Sequence, residues 1–320
     1  MDLTSRRIIK GLFQKHFIRP VKRLGQHFLV DEGVFWKIIK VADLKPKDTI
    51  LEIGPGIGNL TRELVKRVKR VVTVEKDWKM VEILKETLKD FQNVEIVNAD
   101  ILKINLKTFN LKPKAYKIVA NLPYYMTSPV IRKFLESDSP PKEMVLMVQK
   151  EVAQRICPPS LKLRGTGAKP KMNLLAISVW FYAKPEIISY ISKKSFWPQP
   201  KVDSAIIKII PRRKSMISTI VENVDQERFR DLFFKIVKAG FSQPRKQLIN
   251  NLSKELKIPK EKVREWLSRV NSYGRFRIPR GQRPRVVLFA CNKIQPSQRA
   301  ETLTIENWLS LVKSFKKFML

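Results

Sequence analysis

Four groups of residues in this 320-residue chain have side chains and spacings suited to holding a small ligand. The first is LEIGPGIGNLT, residues 51–61, in which Gly54, Gly56 and Gly58 recur at every second position. Such a loop lets the backbone turn sharply and approach a ligand closely, and a helix starting after it adds unpaired N–H groups. A dinucleotide fingerprint would need the third glycine one residue later, and Glu52 ahead of the loop also points away from a nicotinamide cofactor. The second and third groups are single acids, Glu75 in VVTVEKD and Asp100 in VEIVNAD. A carboxylate at the end of a second strand can accept from both hydroxyls of a ribose, and Asp100 is placed to accept from the amino group of an adenine. The fourth group is NLPYY, residues 121–125: an amide, a proline and two tyrosines directly after the apolar run Tyr116–Ala120. Each has a plainer reading on its own, since strand-end acids cap turns and helices, and Asn and Pro punctuate loops everywhere. Those plainer readings account poorly for glycine loop, acid, acid and NLPYY at four successive strand ends.

The elements that would carry these groups are legible in the spacing. From about residue 48 to 210, short β-branched runs alternate with amphipathic stretches, the pattern of an α/β sheet with helices on both faces. The expected strands are Thr49–Ile53, Val71–Glu75, Val94–Asn98, Tyr116–Ala120, Met144–Val148, Ile177–Tyr182 and Ala205–Ile210, joined by crossovers long enough for mainly parallel pairing. Helical periodicity is expected over Leu60–Val68 and Trp78–Leu88, and past Pro211 it takes over in Gln226–Ala239, Arg245–Leu256 and Ile305–Phe315. The expected organisation is a basic amino-terminal arm over 1–22, an α/β domain over 23–211 and a small all-helical domain over 212–320.

Composition narrows the partner. There are 64 Lys and Arg against 29 Asp and Glu, a formal charge of +35, which favours a polyanion and salt-dependent binding, with nucleic acid the first candidate. The longest apolar stretch, Met172–Ala183, is too short to span a bilayer, so no membrane role is expected. Two cysteines, Cys157 and Cys291, and two histidines, His16 and His27, are too few and too scattered for a metal cluster or a disulfide framework, which fits a reducing cytoplasm. The start, MDLTSRRIIKGLFQKHFIRPVKR, reads as an RNA-touching arm or as an organellar presequence.

The order E-x-G-x-G-x-G, acid, acid, N-L-P-Y resembles the S-adenosylmethionine-dependent methyltransferases that modify exocyclic amines in nucleic acids. More narrowly, RLGQHFLVD (23–31), LEIGPGIGNLT, VANLPYY, QKEVAQR (149–155), FWPQPKVDSA (196–205) and FSQPRKQLINNL (241–252) resemble, in order, the KsgA-type ribosomal small-subunit RNA adenine dimethyltransferases, from about residue 22 to the end. The resemblance implies a Rossmann-like seven-stranded methyltransferase domain followed by the helical domain, with S-adenosylmethionine as cofactor and no metal. It implies cofactor contacts from His27, Leu29, Gly54, Glu75, Asp100 and Asn121, with His27 standing where many members have Asn. It assigns Asn121 and the Leu122 carbonyl to the target amine, Pro123 to fixing their direction, and Tyr124 and Phe196 to the two faces of a flipped base. Phe196 read without the resemblance is equally a core residue.

Two branches share these motifs, one acting on small-subunit rRNA during ribosome assembly, the other on large-subunit rRNA in macrolide-type resistance. FSQPRKQLINNL and RAETL (299–303) look like the assembly branch. That implies dimethylation of two adjacent adenines near the 3′ end of small-subunit rRNA within an immature subunit, by a monomer. A non-catalytic assembly or transcription factor on the same scaffold is the reading from another class. Two stretches depart from the family pattern: a basic loop over 157–171 and an arginine-rich insertion over 271–295.

Overall fold

The computed structural model describes residues 1–18, 26–157, 172–212, 226–272 and 294–319. Apart from their ends, the 157–171 loop and the 271–295 insertion lie outside the described residues. The chain divides into two compact units, one of Met1–Cys157 with Tyr182–Arg212, the other of Pro158–Phe181 with Arg213–Leu320.

The first unit opens with helix α1 (Arg6–Lys15), strand β1 (Phe28–Leu29) and helix α2 (Glu32–Ala42). The α/β alternation follows: β2 (Thr49–Ile53), α3 (Asn59–Val65), β3 (Arg70–Glu75), α4 (Trp78–Thr87), β4 (Val94–Asn98), β5 (Tyr116–Asn121), α5 (Thr127–Leu135), β6 (Glu143–Gln149) and α6 (Lys150–Ile156). Helix α7 (Leu174–Tyr182), all but its last residue in the second unit, leads back into the first unit's β7 (Ala183–Ile191), β8 (Phe196–Trp197) and β9 (Ser204–Pro211).

Seven strands form one sheet in the order β4-β3-β2-β5-β6-β9-β7. The first five pair in parallel, and β9 pairs antiparallel with both β6 and β7. β2, β5 and β6 carry near-continuous apolar runs because both of their faces are covered. Between β2 and β5 the direction of winding reverses. The carboxyl ends of two neighbouring strands whose chains depart in opposite directions leave a crevice, and this is where α/β sheets bind ligands. β2 runs into the glycine loop and β5 into Asn121-Leu122-Pro123, so the two motifs face that crevice together.

One expected strand is corrected: Ile177–Tyr182 is helical. The Asn173 side chain accepts the Ala176 N–H at 3.0 Å at the start of α7, and Ala176–Val179 and Phe181 are buried. A short, uniformly apolar segment has no periodicity to separate strand from helix. The seventh strand lies just beyond it, as β7 with Pro185 on the sheet edge, where a missing N–H is tolerated.

At the amino ends of the central strands, Lys117 is only 3% exposed. Its Nζ pairs with Asp48 (3.0 Å) and Glu143 (3.1 Å) and donates to the Ala42 and Asp43 carbonyls that end α2. A buried cation needs this full set of acceptors, and the set fixes α2 to the sheet. The amino-terminal stretch folds back: Ile9, Leu12 and Phe13 of α1 are buried with Phe28, Ile57, Met80 and Ile83, while Lys15 and His16 pair with Glu86 at 2.7 and 2.8 Å.

The second unit is helical, with α8 (Gln226–Gly240), α9 (Leu248–Leu256), α10 (Lys260–Ser272) and α11 (Ile305–Met319) around Phe233, Trp266 and Trp308. Any Cβ at Gly240 would run into the Trp308 ring. Asn251 of FSQPRKQLINNL donates to the Gly240 and Gln243 carbonyls at 2.7 and 2.9 Å, ending α8 and turning the chain toward α9. Among the described residues no helix is long and apolar enough to cross a membrane.

Candidate active site

The crevice is an open pocket lined by the glycine loop, the strand-end acid Glu75 and the Asn121–Tyr124 loop. Its floor is the glycine loop. Gly54, Gly56 and Gly58 all have positive φ, at 67°, 60° and 90°, where any side chain would be strained. A Cβ on Gly54 would come to 3.1 Å from Pro123 Cδ, and one on Gly56 to 3.0 Å from Phe28. The glycines therefore let the NLPY loop and the β1 segment close directly onto the loop, with α3 starting beneath it.

Glu75 ends β3. Its Oε2 accepts the Gly56 N–H at 3.1 Å and its Oε1 the Asp77 N–H at 2.9 Å, so the carboxylate is held in one orientation with a further lone pair on each oxygen. Burial pushes its titration up, and these N–H donors pull part of the way back. Glu52 lies deeper, 1% exposed, with one oxygen lacking any partner. Burial pushes its carboxyl up to about 8; the Thr61 hydroxyl beside it acts downward, and Glu75 adds to the rise.

Asn121 sits at the last position of β5. Its Nδ2 donates to the His27 carbonyl at 3.2 Å, which decides the direction of the amide and leaves Oδ1 as an acceptor. The Leu122 N–H bonds to the Met147 carbonyl at 3.2 Å, fixing the peptide that follows. Pro123 starts a single 3-10 turn, Tyr124–Met126, with the Met126 N–H returning to its carbonyl at 2.9 Å. Tyr124 is half-buried, its ring 5.9 Å from that of His27 and its hydroxyl 2.9 Å from Ser204 Oγ.

β1 and β8 form a small antiparallel ribbon, Phe28 opposite Trp197 and Leu29 opposite Phe196. His27 Nδ1 donates to the Pro198 carbonyl at 2.7 Å, the only sense a carbonyl permits. Asp31 caps α2 and accepts the Ser195 hydroxyl at 2.7 Å. RLGQHFLVD and FWPQPKVDSA, far apart in the chain, thus make one wall. Phe196 lines the pocket and is also part of the buried core.

His27, Leu29, Gly54, Glu75, Asn121, Leu122, Pro123, Tyr124 and Phe196 all line this pocket. Asp100 does not. Its neighbours Ala99 and Ile101 do, while its own carboxylate takes Lys76 Nζ and the Leu102 N–H, each at 3.0 Å. Partial burial raises its titration, but those two partners outweigh that and hold it below the ordinary carboxylate range. Asn59, given no role from sequence, lines the pocket and donates to the Leu3 and Leu29 carbonyls at 2.7 and 2.8 Å, tying the amino terminus and β1 to α3. Its position inside LEIGPGIGNLT was the available signal. Among the described residues no group of three His, Cys, Asp or Glu could hold a metal ion.

The geometry suits a ligand bearing a ribose. The carboxyl groups of Glu75 and Glu52 and the glycine cradle supply acceptors and close backbone, with an amide oxygen and an aromatic wall at the far side. Residues 19–273 match the family described as ribosomal RNA adenine dimethylase. The chain is 41% identical over 302 residues to ribosomal RNA small subunit methyltransferase A of Dehalococcoides mccartyi, covering 94% of this chain and 90% of that one. It is 38% identical over 309 residues to the protein of the same name from Clostridioides difficile, covering 96% and 94%. The crystal structure of a dimethyladenosine transferase from Plasmodium falciparum superposes with a TM-score of 0.64 at 26% identity, over 92% of this chain and 99% of that one.

Proposed function

The chain belongs to the ribosomal RNA adenine dimethylase family, and on that premise we propose how its pocket works. The protein is an S-adenosylmethionine-dependent enzyme that dimethylates adenine in small-subunit rRNA. Bound S-adenosylmethionine supplies an electrophilic methyl group on a sulfonium. Gly54, the Leu29 segment and the His27 side chain would hold it and Glu75 would accept from its ribose hydroxyls; Asp100 would join them from the next strand end on releasing Lys76 Nζ. Glu52, fully buried with an unpartnered oxygen, offers one further acceptor at the base of the pocket.

An adenine amine is a poor nucleophile because its lone pair is delocalised into the ring. Asn121 Oδ1 and the Leu122 carbonyl accept its two hydrogens and turn the lone pair toward the methyl group. The observation that carries this reading is the Asn121 Nδ2 bond to the His27 carbonyl, which commits the donor end of the amide and presents its acceptor end. Tyr124 and Phe196 replace the stacking that a flipped base loses, worth about 1–3 kcal/mol per aromatic face. No general base is needed, since the methylated nitrogen is acidic enough to lose its proton to water. Most of the acceleration comes from alignment of nucleophile and methyl.

The finer reading places the target at two adjacent adenines near the 3′ end of the rRNA, in an immature subunit, methylated by a monomer in the cytoplasm. FSQPRKQLINNL and RAETL support the assembly branch. The helical unit would grip folded RNA through phosphates, supported by exposed Arg245, Lys246, Lys254 and Lys257. The test is transfer of tritiated methyl groups to immature small subunits and to large-subunit RNA in parallel, with digestion to nucleosides and an Asn121→Ala control. Dimethyladenosine from small subunits alone, lost in the control, is expected; label in large-subunit RNA, or RNA binding without label, would overturn the reading.

A further inference from the structure

Ser204 opens β9 at the centre of the antiparallel part of the sheet, opposite Gln149 on β6 and Ile191 on β7, and is 0% exposed. A hydroxyl sealed at such a place costs free energy unless it is bonded, and its partner here is Tyr124 Oη at 2.9 Å. The residue before it pins the strand end on both sides: the Asp203 carbonyl accepts the Lys150 N–H at 3.0 Å and Asp203 Oδ1 accepts the Lys193 N–H at 3.0 Å. Ser204 is therefore a rigid point in the sheet. Tyr124 is not rigid by itself, since it sits on one 3-10 turn with a half-buried ring leaning on His27.

We propose that Ser204 is a positioning residue for the second methyl transfer, anchoring the hydroxyl end of the Tyr124 ring against which the monomethylated adenine lies. The inference rests on the stacking role given to Tyr124 above. In the first transfer the amine has two N–H groups, and both Asn121 Oδ1 and the Leu122 carbonyl can hold it. In the second, one N–H has been replaced by a methyl group, so one acceptor loses its donor and the stacking wall carries more of the alignment. The monomethylated nitrogen then bonds to the methyl carbon as the sulfur–carbon bond breaks, leaving a neutral thioether, and the last N–H proton passes to water. A ring free to tilt blunts this step more than the first, because a near-attack geometry tolerates little misplacement.

The test is a time course on small-subunit substrate, reading the ratio of monomethyl- to dimethyladenosine by mass spectrometry for wild type, Ser204→Ala, Tyr124→Phe and the double variant. Tyr124→Phe removes the same hydrogen bond without touching β9, so the test survives if Ser204→Ala fails to fold. Each single variant is expected to raise the ratio about three- to tenfold, the factor carried by one neutral hydrogen bond. The first transfer and cofactor affinity should change less, and the double variant should match the singles. A ratio unchanged in Tyr124→Phe, equal slowing of both transfers, or additive effects in the double variant would overturn the role of Ser204 alone. Absence of dimethyladenosine from the wild type would overturn the functional reading, and this inference with it.

Discussion

Replacing Glu52 by Gln removes one ionisable group from the base of the pocket while keeping its shape. Burial lifts the Glu52 carboxyl from its ordinary 4.5 to about 8, with Thr61 acting downward and Glu75 upward. A carboxyl raised in this way is held neutral by the fold. Its contribution to stability is complete below pH 4.5 and is lost progressively as pH rises through the window up to 8. The slope inside that window is about 1.4 kcal/mol per pH unit. Between pH 5.5 and 7.5 the wild type should therefore lose about 3 kcal/mol relative to Glu52→Gln. Gln adds an amide whose fit brings its own offset, but that offset has no proton to exchange and cancels between the two pH values. The assay is urea unfolding of the full-length proteins at both pH values, followed by pulsed hydrogen exchange in peptides covering β2 and β3, which reads the α/β unit by itself. A wild-type-to-variant difference that stays constant across the two pH values would refute the claim that the fold holds Glu52 neutral.

Asn121→Ala should lower methyl transfer about 100- to 1,000-fold, the size of effect seen when one preorganised polar group is removed from an active site, while fold stability changes little; single-turnover kinetics with tritiated cofactor and a thermal melt check both. Gly54→Ala forces a side chain into φ 67° at 3.1 Å from Pro123, so cofactor affinity should drop at least tenfold by calorimetry, with a strain cost of about 1–3 kcal/mol in the melt. Phe13→Ala removes the ring that lies 5.4 Å from Phe28 and 5.9 Å from Trp197, and should cost about 3–5 kcal/mol of stability. Because Phe28 lines the pocket, the same variant should bind cofactor more weakly, whereas unchanged affinity would show that α1 does not buttress the site.

Much of the site was legible in local pattern. Thr49–Ile53 and Val94–Asn98 form strands over the expected residues, because a β-branched run bounded by turn residues has few other ways to satisfy its backbone. The glycine loop was legible because positive φ at alternate positions demands glycine. Ile177–Tyr182 was misread because a short, nearly continuous apolar run carries no period to tell helix from strand. Asp100 was recognised as a strand-end acid, yet its pairing with Lys76 depends on the loop after the neighbouring strand β3 and not on the pattern around it.

The chain alone determined which chemistry was available: acceptors at the ends of successive strands, an amide followed by a rigid proline and an aromatic ring, a glycine cradle, and a cationic surface for RNA. Tertiary structure decided which way those groups point. The Asn121 amide is oriented by a carbonyl 94 residues away, His27 by one 171 residues away, and Tyr124 by a hydroxyl 80 residues away. The physical reason is that a side-chain hydrogen bond specifies direction only once its partner is in place. Here the partners arrive through the reversal of winding between β2 and β5 and the folding of the β1–β8 ribbon over the crevice, neither of which any local stretch of sequence encodes by itself.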